Sequence, residues 1–420
     1  MMLRFASIAV FVVGCHSPAE NGTPLDAFVA ADAPLLDAAD AAVALDADAA
    51  TVVDAPSDLV PDAGSVPDAG SVCAHGAWSH TTLASSSSSN AVGQYNSVTI
   101  DAARTVHVLY YDGSDQHFYY MRKPHGGVWS REVISSGNHM GARTDIAADG
   151  MGGVHISFDG VSSNDLNYGY RSPAGVWKFE KIDNTRGERN SIVVGADGVV
   201  HVSYIVGAAG ISTTGTVVYA RRATDGTWTK STTPATASDL SDTTIVVNPQ
   251  GVIRILYKEP SSAPTPLIKL VQRPSFTAAW TAETVVSDGA PNYPSLARDA
   301  NDGLHAAYYG YTSDALAYAY KPAGGSWTTR VLDLGGPGGT GLWPEIAVDG
   351  TGRVHIIYSE PADRLRYATG TPNGTWSYET LDHILTPGQF SSIATDPDGG
   401  AHVTYYKSTT NDLEYAYRCP

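Results

Sequence analysis

Seven positions in this 420-residue chain combine aromatic rings, guanidinium groups and a carboxylate at a regular interval: Tyr95, Arg143, Arg189, Asp242, Tyr293, Trp343 and Phe390. Each stands three residues before the first apolar residue of an alternating run, as Tyr95 stands before Val98 and Trp343 before Ile346. A second set, Asp112, Asp159, Lys258, Glu259, Glu360 and Lys407, follows just after the next run. Aromatic faces stack on the C–H faces of sugars, and guanidinium groups bind carboxylate or sulfate through paired hydrogen bonds. The combination points to a sugar or anionic ligand, although side chains that merely cap a channel would draw on the same types. Catalysis would need an acid or base within hydrogen-bonding reach. The available pairs are Tyr95 or Tyr293 with Arg143 and Arg189, and Glu259 with Glu360 or Asp159. Two carboxylates about 5–9.5 Å apart would serve glycoside hydrolysis. His139 and His383 also fall near this set.

The elements that must position these residues are strands. The stretch from Glu345 to Leu381 contains four alternating runs, Ile346–Asp349, Val354–Tyr358, Leu365–Ala368 and Trp376–Leu381, separated by Gly, Pro and Asn. Period-two alternation with β-branched and aromatic residues marks strands, and Asp349-Gly-Thr-Gly352 is a hairpin turn. The unit recurs. A Trp opens the fourth run at 78, 129, 177, 228, 280, 327 and 376, in steps of 47 to 52 residues. A His occupies the second run at 107, 155, 201, 305, 355 and 402, with Arg254 filling the gap. Seven such units predict an all-β fold, a seven-bladed β-propeller of four-stranded antiparallel blades. The two residue sets above then share one mouth of the central channel. The long connections Val206–Val217 and Pro260–Pro266 would overhang it.

The ends of the chain predict how the ring closes. The strand starting at Trp78 has no inner partners of its own, and the strands ending at Tyr417-Arg418 have no outer one. Pairing them completes the last blade. Cys73 lies five residues before its Trp, as Ser172 lies before Trp177, and Cys419 follows an Arg, as Ser172 does. Both cysteines map to one point of the blade, so a Cys73–Cys419 disulfide is expected there.

The repeated residues read as packing. Zinc ligands must lie within about 2.0–2.3 Å of one ion, whereas equivalent positions on seven blades are spread around a ring. The His side chains are expected to hydrogen-bond backbone or the turn Asp, and the Trp side chains to pack between blades. Turns such as Asp299–Gly303 and Asp396–Gly399 lack the twelfth-position Glu of an EF-hand. Neither a metal nor another cofactor is expected.

Before the propeller come Arg4, the apolar run Phe5–Val13 and Val12-Val13-Gly14-Cys15. The run is too short to span a bilayer and reads as an export signal. The four residues ending at Cys15 resemble the lipobox of bacterial lipoproteins. That resemblance implies cleavage before Cys15, lipidation of its thiol and anchoring in the cell envelope, with His16 favouring the outer membrane. Residues 17–72 hold ten Asp and Glu20 but no Lys or Arg, with the near-duplicate Pro61–Val72. Like charges, Pro and scarce aromatics predict a disordered tether. The expected organisation is a signal over 1–14, a tether over 15–72 and the propeller over 73–420. Much of the net charge of −17 belongs to the tether, and its sign disfavours nucleic acid as a partner.

Stretches such as Tyr95-Asn-Ser-Val-Thr-Ile and Arg189-Asn-Ser-Ile-Val-Val-Gly-Ala-Asp-Gly-Val-Val-His-Val resemble the BNR-type repeats of sialidase-like proteins and seven-bladed polysaccharide lyases. The resemblance spans residues 73–420. It implies glycan chemistry, yet the lyase His positions hold Tyr95 and Arg189, and no blade carries the sialidase Asp-box S-x-D-x-G-x-T-W. Three readings follow: a monomeric, envelope-tethered propeller that binds a glycan or another extracellular partner; a secreted lyase or hydrolase; and a scaffold for envelope proteins.

Overall fold

The computed structural model describes Asp58–Leu59 and residues 74–420, apart from 87–90, 136–143, 161–164, 186, 208–214, 238–242, 260–266, 288–290, 336–338, 362 and 385–389, with backbone alone at 58, 59, 135, 188 and 237. Every regular element among these residues is a β-strand, and the strands form seven antiparallel sheets. Blades 1 to 6 follow chain order over 92–135, 144–183, 188–237, 244–286, 291–333 and 342–383. In blade 6 the strands are Leu342–Val348, Val354–Glu360, Arg364–Gly370 and Trp376–His383. Blade 7 joins Ser391–Thr395, Ala401–Lys407 and Asp412–Arg418 to Trp78–Ala84 from the other end of the chain, with Trp78 opposite Arg418. The chain is thus an all-β seven-bladed propeller.

Each inner strand touches the inner strands before and after it, and Ser391–Thr395 touches Val92–Ile100, so the contacts run full circle. Both faces of a blade are covered by neighbours. The second strand of blade 6 is therefore buried at every residue, whereas the outer strand Thr328–Asp333 of blade 5 is mostly exposed.

Two residues of the segment expected to be a disordered tether join the fold. Asp58–Leu59 pairs with the outer strand of blade 1, Asp58 opposite Arg131, as a short fifth strand. Where the chain enters blade 7, Gly76 N–H donates to the Cys419 carbonyl and Cys419 N–H to that of Ala77. Cys15, Cys73 and the signal lie outside the described residues, as do Arg143, Asp242 and His139.

One repeated assembly welds the blades. In His107, His155, His305, His355 and His402, Nε2 meets the turn carboxylates of Asp101, Asp149, Asp299, Asp349 and Asp396 at 3.1–3.3 Å. Nδ1 meets a Tyr hydroxyl at 2.6–2.7 Å, as in His305 to Tyr318, where backbone had been an expected alternative. The same Tyr rings receive the Trp of the next blade: Tyr120–Trp177, Tyr168–Trp228 and Tyr318–Trp376 have centroids 5.2–5.5 Å apart. Trp129 packs on Tyr415 across the closing border. Arg254, in the His slot of blade 4, instead forks onto Asp302 of blade 5. Among the described residues no group of His, Cys, Asp or Glu could hold a metal ion.

Candidate ligand-binding mouth

The mouth residues sit on a bulge. Tyr95, Arg189, Tyr293 and Trp343 all have left-handed backbone, with φ of 51°, 54°, 51° and 46°. Gln94 opposes Tyr111 and Ser97 opposes Leu109, so Tyr95 and Asn96 together face the single residue Tyr110. By the same register shift Arg189-Asn190 faces Tyr204, Tyr293-Pro294 faces Tyr308, and Trp343-Pro344 faces Tyr358. A bulge bends the strand and re-aims a side chain. Left-handed backbone at a non-glycine residue costs roughly 1–3 kcal/mol and persists only where the surroundings over-determine it.

The neighbouring blades supply that bracing. Thr144 of blade 2 donates its hydroxyl to the Tyr95 carbonyl at 2.9 Å, and Thr243 of blade 4 donates to that of Arg189 at 2.8 Å. The side-chain amide of Asn96 donates to the carbonyls of Gly93 and Phe390 at 2.8 Å and accepts from Thr404, locking the first bulge to blade 7. Asn190 accepts from Ser157 of blade 2 at 2.6 Å. Lys258 of blade 4 donates to Asn292, which in turn accepts from the Tyr293 N–H. Glycine is needed two residues before Tyr95 and Trp343: a Cβ on Gly93 would lie 2.6 Å from that of Leu413, and one on Gly341 2.4 Å from the Leu316 nitrogen.

Four aromatics occupy consecutive blades, 5, 6, 7 and 1, and meet in pairs across blade borders. Tyr293 and Trp343 have ring centroids 5.1 Å apart, and Tyr95 and Phe390 4.6 Å. Tyr293 is buried, while Trp343, Tyr95 and Phe390 keep part of their surface open. Tyr309 and Leu342 complete the first cluster, and the exposed Tyr311 stands edge-on to Tyr309. Tyr111 and Tyr406 flank the second pair. Arg189 of blade 3 lies on a different arc of the ring.

The candidate carboxylates stand on separate blades. Glu360 is buried and accepts from Arg364 at 2.8 Å and Arg366 at 3.1 Å on its own blade. Glu259 pairs with Lys269 at 2.7 Å, and Asp159 is 1% exposed. These three belong to blades 2, 4 and 6, which are not neighbours. Asp112 accepts from the backbone and hydroxyl of Ser114, and Lys407 is held by Asp382. His383 is exposed beside Asp363.

Sequence reading missed a second ring, two residues beyond the mouth residues. Ser97 donates to Asp145 at 3.1 Å, Asp145 also accepts the Ile192 N–H at 2.9 Å, and Ser295 donates to Glu345 at 2.8 Å. Ser392 accepts the Val98 N–H at 3.1 Å. These bonds tie inner strands of successive blades. Burial raises the Asp145 carboxyl above its ordinary range, against hydrogen bonds that favour its charge. An acidic residue within the run Thr144–Ala148 was the available signal.

No family model matches this chain, and no curated protein matches it. Among solved structures, a streptogramin B lyase aligns with 13% identity and a TM-score of 0.54 over 81% of this chain and 98% of its own. The polysaccharide lyase Uly1 aligns with 12% identity and a TM-score of 0.49, over 78% and 90%. An Aleuria aurantia lectin in complex with alpha-methyl-L-fucoside aligns with 13% identity and a TM-score of 0.45, over 66% and 94%. The last two are too distant to carry any argument. The first is similar in fold alone.

Proposed function

We propose that this propeller binds a glycan at the channel mouth. The observation that carries the reading is the left-handed bulge repeated at Tyr95, Arg189, Tyr293 and Trp343, each time under a ring or a guanidinium. Four costly backbone positions at one mouth, braced from neighbouring blades, are what a pre-organised site requires. Partly open aromatic pairs provide stacking faces, and Arg189 provides a donor for hydroxyl or carboxylate. Binding is favoured over cleavage because Glu360 and Glu259 are engaged by cations of their own blades. The full chain should be arrayed against neutral and anionic glycans. Loss of the signal with Trp343→Ala or Tyr95→Ala, at unchanged thermal stability, is the expected result. Release of unsaturated uronides or reducing ends would replace the binding reading with an enzyme, and capture of envelope proteins without any glycan would replace it with a scaffold.

The reading extends to how the domain is held. A lipid on Cys15 would anchor it in the envelope, with residues 17–72 as the link; membrane fractionation of Cys15→Ser protein like that of wild type would remove the anchor. A Cys73–Cys419 disulfide would staple blade 7. Cys419 is buried and hydrogen-bonded through its backbone to Gly76 and Ala77, just after Cys73 in the chain, which supports that pairing. Reduction or Cys73→Ser is expected to cost roughly 2–5 kcal/mol in chemical unfolding.

A further inference from the structure

We infer that the border between blades 3 and 4 holds a binding site for a small carboxylate, of acetate to propionate size, gripped by Arg273. The inference is independent of the ligand at the mouth.

At several borders a cation ending a third strand grips a Glu on the preceding blade. Arg171 Nε and Nη2 reach Glu132 at 3.0 and 2.5 Å. Arg222 Nε and Nη2 reach Glu180 at 2.8 and 2.6 Å. Lys321 reaches Glu283, and Arg418 Nε reaches Glu379 at 3.0 Å. The Trp of the same blade adds its indole N–H to the first two carboxylates, Trp177 at 3.2 Å and Trp228 at 3.0 Å.

Blade 4 has the cation without the acid. Glu132 opposes Tyr120 and Glu180 opposes Tyr168, and the residue opposite Tyr219 in that register is Ser231. Trp280 donates to the Ser231 hydroxyl at 3.3 Å, as the other indoles donate to Glu. Arg273 is 3% exposed and lies over Tyr219 at 4.6 Å, as Arg171 lies over Tyr120 and Arg222 over Tyr168. Its Nε and Nη2, the same two atoms that grip Glu elsewhere, find no partner among the described residues.

Phe276 and Trp280 cover the guanidinium at 4.8 and 4.4 Å, and Phe276 also carries Arg221 at 5.1 Å. Rings stacked on the faces attract the cation, and the Tyr219 hydroxyl favours its charge, but Nε and Nη2 are left unsatisfied. Burial accordingly lowers the affinity of Arg273 for its proton, whereas Arg171 and Arg222 are held above the ordinary arginine value by their Glu partners. Ser231 is shorter than Glu by a methylene and a carboxylate. A free short-chain carboxylate can therefore restore the bidentate pair that the other borders make covalently.

Thermal unfolding of the full chain in acetate or propionate, against chloride at constant ionic strength, tests the site. Wild type is expected to gain a saturable rise in midpoint of a few degrees. Ser231→Glu should start higher and show no carboxylate response, because its own side chain occupies the fork. A flat wild-type response, or equal responses in both proteins, overturns the inference. Should Ser231→Glu fail to fold, broadening of the acetate methyl proton resonance decides instead. Wild type should broaden it and the filled variant Ser231→Gln should not; equal broadening overturns the site.

Discussion

Blade borders and channel mouth are built from the same residue types to opposite ends. At the borders, Tyr and His are buried in relaxed strands beside buried or half-buried Trp and Arg, and the same partners recur from blade to blade: His305 meets Asp299 and Tyr318, and Tyr318 meets Trp376. At the mouth, Tyr95, Arg189 and Trp343 stand partly open on left-handed backbone that other blades must hold in place. The borders store stability, and the mouth draws on it. A site of this kind can tolerate strain because a ring of seven welded blades over-determines its backbone.

The contrast is broken most severely at a border. Tyr318→Ala removes a ring that is 2% exposed, leaves His305 Nδ1 without its hydroxyl and strips the tilted ring contact of Trp376. A loss of about 3–5 kcal/mol is expected, read from urea unfolding, with glycan affinity of the surviving folded protein unchanged. A parallel loss of affinity would show that mouth and borders are not separable.

Acid attacks the same borders. Burial pushes His201 down to about 4, and lowers His155 and His305 as well. These groups are neutral in the fold and charge first in the unfolded chain, near pH 6.5. The unfolded state therefore binds more protons in that window, and stability falls as pH drops from 6.5 towards 4. His201 alone accounts for roughly 3 kcal/mol at the low end. The turn carboxylates Asp149 and Asp349 are held below their ordinary value, chiefly by their His and backbone donors against burial, so their loss begins only below that window. Unfolding midpoints at pH 7 and pH 4.5 check the first phase. His201→Gln should flatten it.

At the mouth the expected order reverses. Trp343→Ala should weaken glycan binding by about 10- to 100-fold, a loss of roughly 1.4–2.7 kcal/mol, while moving the unfolding midpoint little. Titration calorimetry with the glycan found on the array measures the first, and a loss of stability as large as that of Tyr318→Ala would assign Trp343 to the border class. The smallest effect has the opposite sign. Arg189→Gly relieves a φ of 54° and should stabilise the fold by about 1 kcal/mol while weakening any anionic ligand. Destabilisation would show that the Arg189 side chain, and not the bulge, holds that part of the mouth.

The sequence by itself determined the ring. Trp steps of 47 to 52 residues, one His per second run and matching ends of chain imply seven blades and a last blade shared by both termini. They are legible because each copy solves the same local problem of alternation, turn and border, so repetition reports it. The packing roles of His and Trp followed from the same logic. The mouth was legible only as a set of positions. Left-handed backbone at Tyr95 or Trp343 depends on donors and close contacts supplied by other blades, some three hundred residues away in the case of Asn96 and Phe390. The pairing of Tyr293 with Trp343 is likewise an outcome of which blade faces which, whereas the capture of Glu360 by Arg364 and Arg366 is local and follows from the register of one hairpin. Ser231 is the sharpest case. Its departure from Glu132 and Glu180 is visible in one dimension, but only tertiary packing sets a buried guanidinium against it, because the partner lies 42 residues further along a different blade.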